Sequence, residues 1–178
     1  RYNILMKKNY LIFQIIFLFF TQFAIANSSI VYIDMDNVMS TSIAGKSILK
    51  QLYDINSKAS QQFQKTENNF KDQEKKIISQ KNILSEIEYE KKIQFLKSEI
   101  IEYTKNKKKK INDLNELKKN NTNEFVEQIN KILLKYSKDN SISLILLKKN
   151  VIIGKSELDI SMDIVKLVNA AIKEFKVK

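Results

Sequence analysis

The chain contains no cysteine, histidine, proline or tryptophan, and only two glycines among its 178 residues. Without cysteine there is no disulfide and no thiol chemistry, even in an oxidising compartment. The joint absence of cysteine and histidine removes the usual zinc ligands, the commonest general base and the Ser-His and Cys-His nucleophile pairs. Gly45 and Gly154 alone cannot build a glycine-rich phosphate loop. No enzyme activity, cofactor or metal is therefore expected. The most telling gap is positional: the 93 residues from Lys46 to Lys138 hold neither glycine nor proline. A compact domain seldom runs so far without a turn residue. The stretch predicts two long helices folded back on each other and projecting from a small mixed base.

The N-terminus reads as a targeting segment. Met6-Lys7-Lys8 is a charged start, Tyr10 to Phe20 is apolar except for Gln14, and Ala24-Ile25-Ala26 is a small-x-small cleavage pattern. Cleavage after Ala26 is expected, with Met6 as the true start. The apolar run is shorter than the roughly 20 residues of a comfortable membrane span. An uncleaved anchor is the competing reading. The mature part, residues 27–178, is expected to be one exported domain.

Charge is unevenly placed. The chain carries a formal +11. Residues 46–138 hold 21 basic and 13 acidic side chains, a net +8, while the rest of the mature part holds seven of each. The long stretch thus attracts acidic partners at a distance. Acidic polypeptides and anionic lipid head groups suit an exported protein; nucleic acid does not.

Ser29 to Met35 alternates and reads as a short strand, after which Asp36 or Ser40 caps a brief helical turn. From Leu49 a heptad appears, through Asn56, Phe63, Phe70, Ile77 and Leu84, with Leu52, Ala59, Thr66, Gln73, Gln80 and Ile87 three residues after each. Ser85-Glu86-Ile87-Glu88 fits a capping box for the returning helix. Pairing the arms about residue 83 sets Leu49 against Leu117, Leu52 against Leu114, Phe63 against Tyr103, Phe70 against Leu96 and Ile77 against Tyr89. Only Ala59 opposite Lys107 reads badly. Sliding by one heptad puts Phe63 against Lys110 and Asn56 against Leu117, the poorer match. The tip is expected at Lys81 to Ser85.

After a turn at Asp139-Asn140, Ile142–Leu147 and Val151–Ile153 read as two strands separated by Lys148-Lys149-Asn150. Ser161 is expected to cap a last helix whose apolar face is Ile164, Leu167, Val168, Ala171, Ile172 and Phe175. Strands this short are not stable as an isolated hairpin, so further copies of the chain are expected to complete the sheet.

This layout resembles the Skp/OmpH family of periplasmic chaperones. Ile30-Val31-Tyr32-Ile33-Asp34 with Gly45-Lys46 is similar to the family's opening strand and first arm. Ser141–Leu147 with Val151–Ile153 is similar to its late hairpin, and Asp159-Ile160-Ser161 with Val165 and Asn169 to its final helix. The resemblance implies an α+β fold: a small β-rich trimerisation body (residues 27–45 and 139–178) with a long protruding antiparallel α-helical hairpin of coiled-coil-like arms (46–138). It implies a homotrimer that holds unfolded outer-membrane β-barrel proteins, without ATP, in a cavity between the arms. The arms here are richer in Asn, Ile and Lys, and the chain has no proline.

Ile83 and Leu84 at the tip and the run Lys107-Lys108-Lys109-Lys110 are the candidate client contacts, against the plainer readings of a loose turn and a solvated helix face. Because the four lysines step around the helix by about 100° each, they cannot form one binding face. Their long-range attraction is screened by salt. Leu49, Leu52, Phe63, Phe70, Ile77, Tyr89, Leu96, Tyr103, Leu114 and Leu117 are the candidate arm-pairing residues. The rival function is a coiled-coil envelope scaffold or spacer, tethered by an uncleaved signal.

Overall fold

In the computed structural model, which describes residues 29–178, the opening alternation forms strand β1 (Ser29–Ile33). Val31 and Ile33 face the core and Ile30 faces solvent. The expected signal and its cleavage after Ala26 lie outside the described residues. Helix α1 (Met35–Thr41) starts at once, because the Asp34 carboxylate accepts the Asn37 N–H at 2.9 Å. The cap is therefore neither Asp36 nor Ser40, and Met35 belongs to the helix.

Ser42 breaks the chain direction with an extended backbone and caps α2 (Ile43–Ser79), its hydroxyl accepting the Gly45 N–H at 3.1 Å. The first long helix thus begins three residues before the glycine-free stretch, and Gly45 lies in its first turn. That position leaves no room for a side chain: a Cβ on Gly45 would sit 2.0 Å from the Met39 carbonyl oxygen. At about 1.5 Å per residue, the 37 residues of α2 extend about 55 Å.

A turn over residues 80–84 reverses the chain into α3 (Glu86–Asp139), 54 residues long. The capping box at its start is formed: Ser85 Oγ accepts the Glu88 N–H at 3.4 Å and the Glu88 carboxylate accepts the Ser85 N–H at 3.2 Å. After α3, Ser141 takes the left-handed conformation (φ 53°) that lets strand β2 (Ile142–Leu147) turn back. Two short 3₁₀ turns, Lys148–Asn150 and Ser156–Leu158, lead to helix α4 (Ser161–Ala171).

β1 and β2 pair in parallel, with Val31 opposite Ile145 and Ile33 opposite Leu147. The whole helical hairpin is therefore the crossover between the two strands. The expected second strand, Val151–Ile153, does not form. Ile152 is 98 % and Ile153 91 % exposed, and the segment runs past β1 until Tyr32 bridges Asp159. The apolar, β-branched run resembles a strand locally, yet it pairs neither with β1, flanked by β2 and Asp159, nor with the edge that β2 leaves free.

The core lies at the root of the hairpin. Val31, Ile33, Val38, Ile48, Leu52, Phe125, Ile129, Ile164 and Val168 are buried together. The start of α4 is held by Asp159, whose carboxylate accepts the Ser161 N–H at 3.0 Å and the Ser161 hydroxyl. Ser161 is buried and its hydroxyl also accepts the Asp34 N–H at 2.8 Å, so it ties β1 to α4 rather than capping the helix through its own side chain. Ile164 and Val168 face inward as expected, while Leu167 faces outward. Beyond α4 the chain leaves helical geometry and lays Phe175 edge-on to Phe125, ring centres 6.0 Å apart. Gln51 fastens this tail, donating to the Phe175 carbonyl at 2.8 Å and accepting the Val177 N–H at 3.1 Å.

Candidate functional site: the helical arms

The arms are joined by a seam whose apolar content falls away from the root. Ala44, Gly45, Ile48 and Leu52 are buried on α2, and beyond Leu52 no residue of that helix is fully buried. On α3 the buried residues are Phe125, Ile129 and Asn121 near the root, then Leu114, then Leu96. Between Leu96 and Leu114 the seam positions Glu99, Tyr103 and Lys107 are half-buried.

The middle of the seam is polar and specific. The Tyr103 hydroxyl donates to the Phe63 carbonyl (3.2 Å) and lies 2.9 Å from a Glu67 carboxylate oxygen. Its ring packs edge-on to Phe70, centres 5.4 Å apart. Lys107 pairs with the same Glu67 carboxylate and holds its ammonium 5.3 Å from the Phe63 ring centre. The Lys107 ammonium, then the Tyr103 hydroxyl, hold the Glu67 carboxyl below its ordinary pKa. Loss of water contact and the neighbouring Glu67 charge push the Tyr103 phenol up to about 12. One carboxylate oxygen of Glu99, in the same stretch, is buried with no hydrogen-bond partner.

Of the sequence-derived seam residues, Leu52, Leu96 and Leu114 are buried, and Phe63, Phe70, Ile77, Tyr89, Tyr103 and Leu117 are half-buried. Leu49 is 43 % exposed; Ile48, one residue earlier, occupies the inward position. The register also differs from the expected one. Tyr103 stacks on Phe70 rather than on Phe63, and Leu114 lies by Ala59 and Phe63 rather than Leu52. Lys92 reaches Gln80, its ammonium 2.9 Å from the amide oxygen. The pairing is thus displaced toward the slid register, but the lysine over Phe63 is Lys107, not the Lys110 expected there, which is exposed. Placing Lys107 there is favourable because it gains both a ring face and the Glu67 carboxylate.

The candidate client residues are scattered. Ile83 is 81 % exposed at the tip, while Leu84 turns back toward a shallow groove between the arms. Lys108, Lys109 and Lys110 are exposed, and Lys107 is taken into the seam. Ile87, expected in the heptad, is exposed, and sequence reasoning passed over the exposed Phe95 and Ile101 on α3, which carry no periodic signal. Among the described residues no group of three or more acidic side chains is placed to hold a metal, and no helix is long and apolar enough to cross a membrane.

A small α/β root carrying a long, basic, thinly packed helical hairpin defines a fold class built around projecting arms. The sequence model of the outer membrane protein (OmpH-like) family matches residues 29–168, and the chain belongs to that family. The fold is similar to a crystal structure from Caulobacter crescentus CB15 assigned as an OmpH-like outer membrane chaperone, with a TM-score of 0.76. The two are 13 % identical, over 83 % of this chain and 87 % of the other. A search of curated proteins returned no match.

Proposed function

We propose that this chain is an ATP-independent periplasmic holdase that keeps unfolded outer-membrane β-barrel precursors from aggregating, in a cavity between the arms of a homotrimer. The observation that carries the reading is the construction of the arms. They concentrate the net charge of +8 on a hairpin whose apolar seam is too thin to be a rigid rod. Basic arms draw in an acidic client, and many weak apolar contacts then hold it without folding it. Membership of the OmpH-like chaperone family supports the same reading.

Assembly is supported by what one chain leaves uncovered at the root. Leu134 and Leu144 are 64 % and 48 % exposed beside a groove lined by Ile33, Leu133, Ile142 and Ile145. Exposed apolar surface next to a two-stranded sheet calls for a neighbour. Further copies of the chain supply it. The arms of three copies then enclose a space in which one sticky client does not meet another.

The test is suppression of aggregation of an unfolded β-barrel protein, without nucleotide, on dilution from denaturant. Suppression at one trimer per client supports the holdase. No suppression, with a rod-like particle in solution scattering, favours the envelope spacer.

A further inference from the structure

We infer that the groove between the arms just below the tip is a client-reading subsite that takes an apolar side chain flanked by an acidic residue of an extended polypeptide. The inference rests on the holdase reading and names the partner chemistry of one place on the arms. Ile77 and Leu84 from one side and Phe95 and Leu96 from the other line a groove of about 700 Å³. Leu96 is buried at its floor, while Phe95 is 63 % exposed at its edge. This is room for a large apolar side chain, and it is open to one side.

The rim supplies the second half of the chemistry. Lys76, Lys91 and Lys92 stand around the groove against one carboxylate, Glu88. Glu88 is already committed to Ser85 in the capping box, whose hydrogen bonds hold its carboxyl ionised and in place. Lys92 leans on the neutral amide of Gln80, and among the described residues none of the three lysines forms an ion pair. The groove therefore presents apolar surface beneath net positive charge, three ammonium groups against one ionised carboxylate. An extended chain alternating apolar and acidic side chains turns its apolar face into the groove and its acidic face outward, within reach of the long lysine side chains of the rim, since neighbours in a strand point to opposite sides and alternate residues repeat about every 7 Å.

The absence of tryptophan gives a clean probe. In the full chain, Phe95→Trp is the sole indole; Tyr53→Trp, 72 % exposed near the root, is the control position. A tryptophan-free peptide alternating Leu or Val with Glu is expected to blue-shift the emission of Phe95→Trp but not that of Tyr53→Trp. Its counterpart with Lys for Glu is expected to be inert. Adding Lys91→Gln and Lys92→Gln should weaken the acidic peptide at least about fivefold, the sum of two exposed charge contacts. Equal shifts with both peptides, or none with either, overturn the subsite. A shift with phosphatidylglycerol vesicles and none with peptide also overturns it, assigning the groove to lipid. Aggregation suppression by the same Phe95→Trp protein is scored separately. A protein that suppresses aggregation without an emission shift loses the subsite and keeps the holdase; the reverse result keeps the subsite and loses the holdase.

Discussion

Tyr103 and Glu67 share a hydrogen bond across the two arms, 2.9 Å from phenol to carboxylate, midway between root and tip. The same phenol reaches the Phe63 carbonyl, and Lys107 completes the cluster. Where apolar burial is thin, this polar contact sets the register. Tyr103→Phe keeps the ring on Phe70 and removes both hydroxyl contacts. A loss of about 1 kcal/mol is expected. It should appear as faster amide exchange in the middle of the arms, with the root unchanged. Uniform loss of protection would contradict a local role.

The cluster is also a source of pH dependence. The Glu67 carboxyl has its pKa lowered, first by Lys107 and then by Tyr103, so it favours the paired arms above the ordinary value of 4.5. That contribution is lost as the pH falls from 4.5 through the lower folded value. At the other end, Tyr103 must stay protonated to donate. Its raised pKa makes its contribution complete below 10 and lost as the pH rises through about 12. Arm exchange rates measured at pH 7 and pH 3.5 should diverge more than root rates, and Glu67→Gln should remove the acid-side difference. An equal acid response in Glu67→Gln would place the titration elsewhere.

Local signals were legible in the sequence, and long-range ones were not. The Ser85–Glu88 box is a four-residue pattern, so its reading depended on nothing distant. The heptad begun at Leu49 was out of place only at its first two positions, where Ile48 and Ile55 turn inward instead of Leu49 and Asn56. The inward line is Ile48, Leu52, then half-buried Ile55, Ala59 and Phe63, with spacings of four, three, four and four. The slid register scored poorly for setting Lys110 against Phe63, whereas the lysine that lies there is Lys107, which Glu67 makes a partner. Val151–Ile153 has the composition of a strand, yet it stays exposed and, among the described residues, leaves the outer edge of β2 unpaired. Nothing local reveals that β1 pairs with β2 across the whole hairpin. The exposed Phe95 and its groove were missed for the same reason: an isolated aromatic on a polar helix has no period.

Gly45 is required by packing rather than by backbone angle. Its Cα faces the Met39 carbonyl where α1 meets α2, and a Cβ there would fall 2.0 Å from that oxygen. Because the obstacle is backbone, it cannot rotate away. Gly45→Ala is expected to cost at least about 3 kcal/mol, above the usual range for an added methyl. A urea midpoint within error of the parent would show that α1 swings aside freely.

Ser141 presents the opposite case. It holds a left-handed conformation, φ 53°, that a residue with a Cβ adopts at a cost. Its backbone carbonyl accepts the Ser29 hydroxyl at 3.3 Å, and this bond does not need the Ser141 side chain. Ser141→Gly should therefore relieve strain and stabilise the junction of α3 and β2. A gain of about 0.5–1 kcal/mol is expected, after the extra freedom glycine gives the unfolded chain. Thermal unfolding would read it as a raised midpoint, and a lowered one would mean the turn depends on the serine side chain.

Glu99 connects stability to the proposed function. Its seam position lies between Leu96 and Tyr103, and one of its carboxylate oxygens is buried without a partner. A buried polar atom left unpaired is costly, whereas an apolar side chain of similar length fits the same space. Glu99→Met is expected to strengthen the arms by about 1 kcal/mol and to slow mid-arm amide exchange. If the thin seam exists so that the arms bend around clients of different size, the stiffer variant should lose function selectively. Suppression of aggregation should persist for a small β-barrel and fall for a large one at equal concentration. Stiffer arms that protect both clients as well as the parent would separate compliance from chaperoning. In that case the sparse seam would be a by-product of the high lysine and asparagine content of the arms, rather than part of how they hold a client.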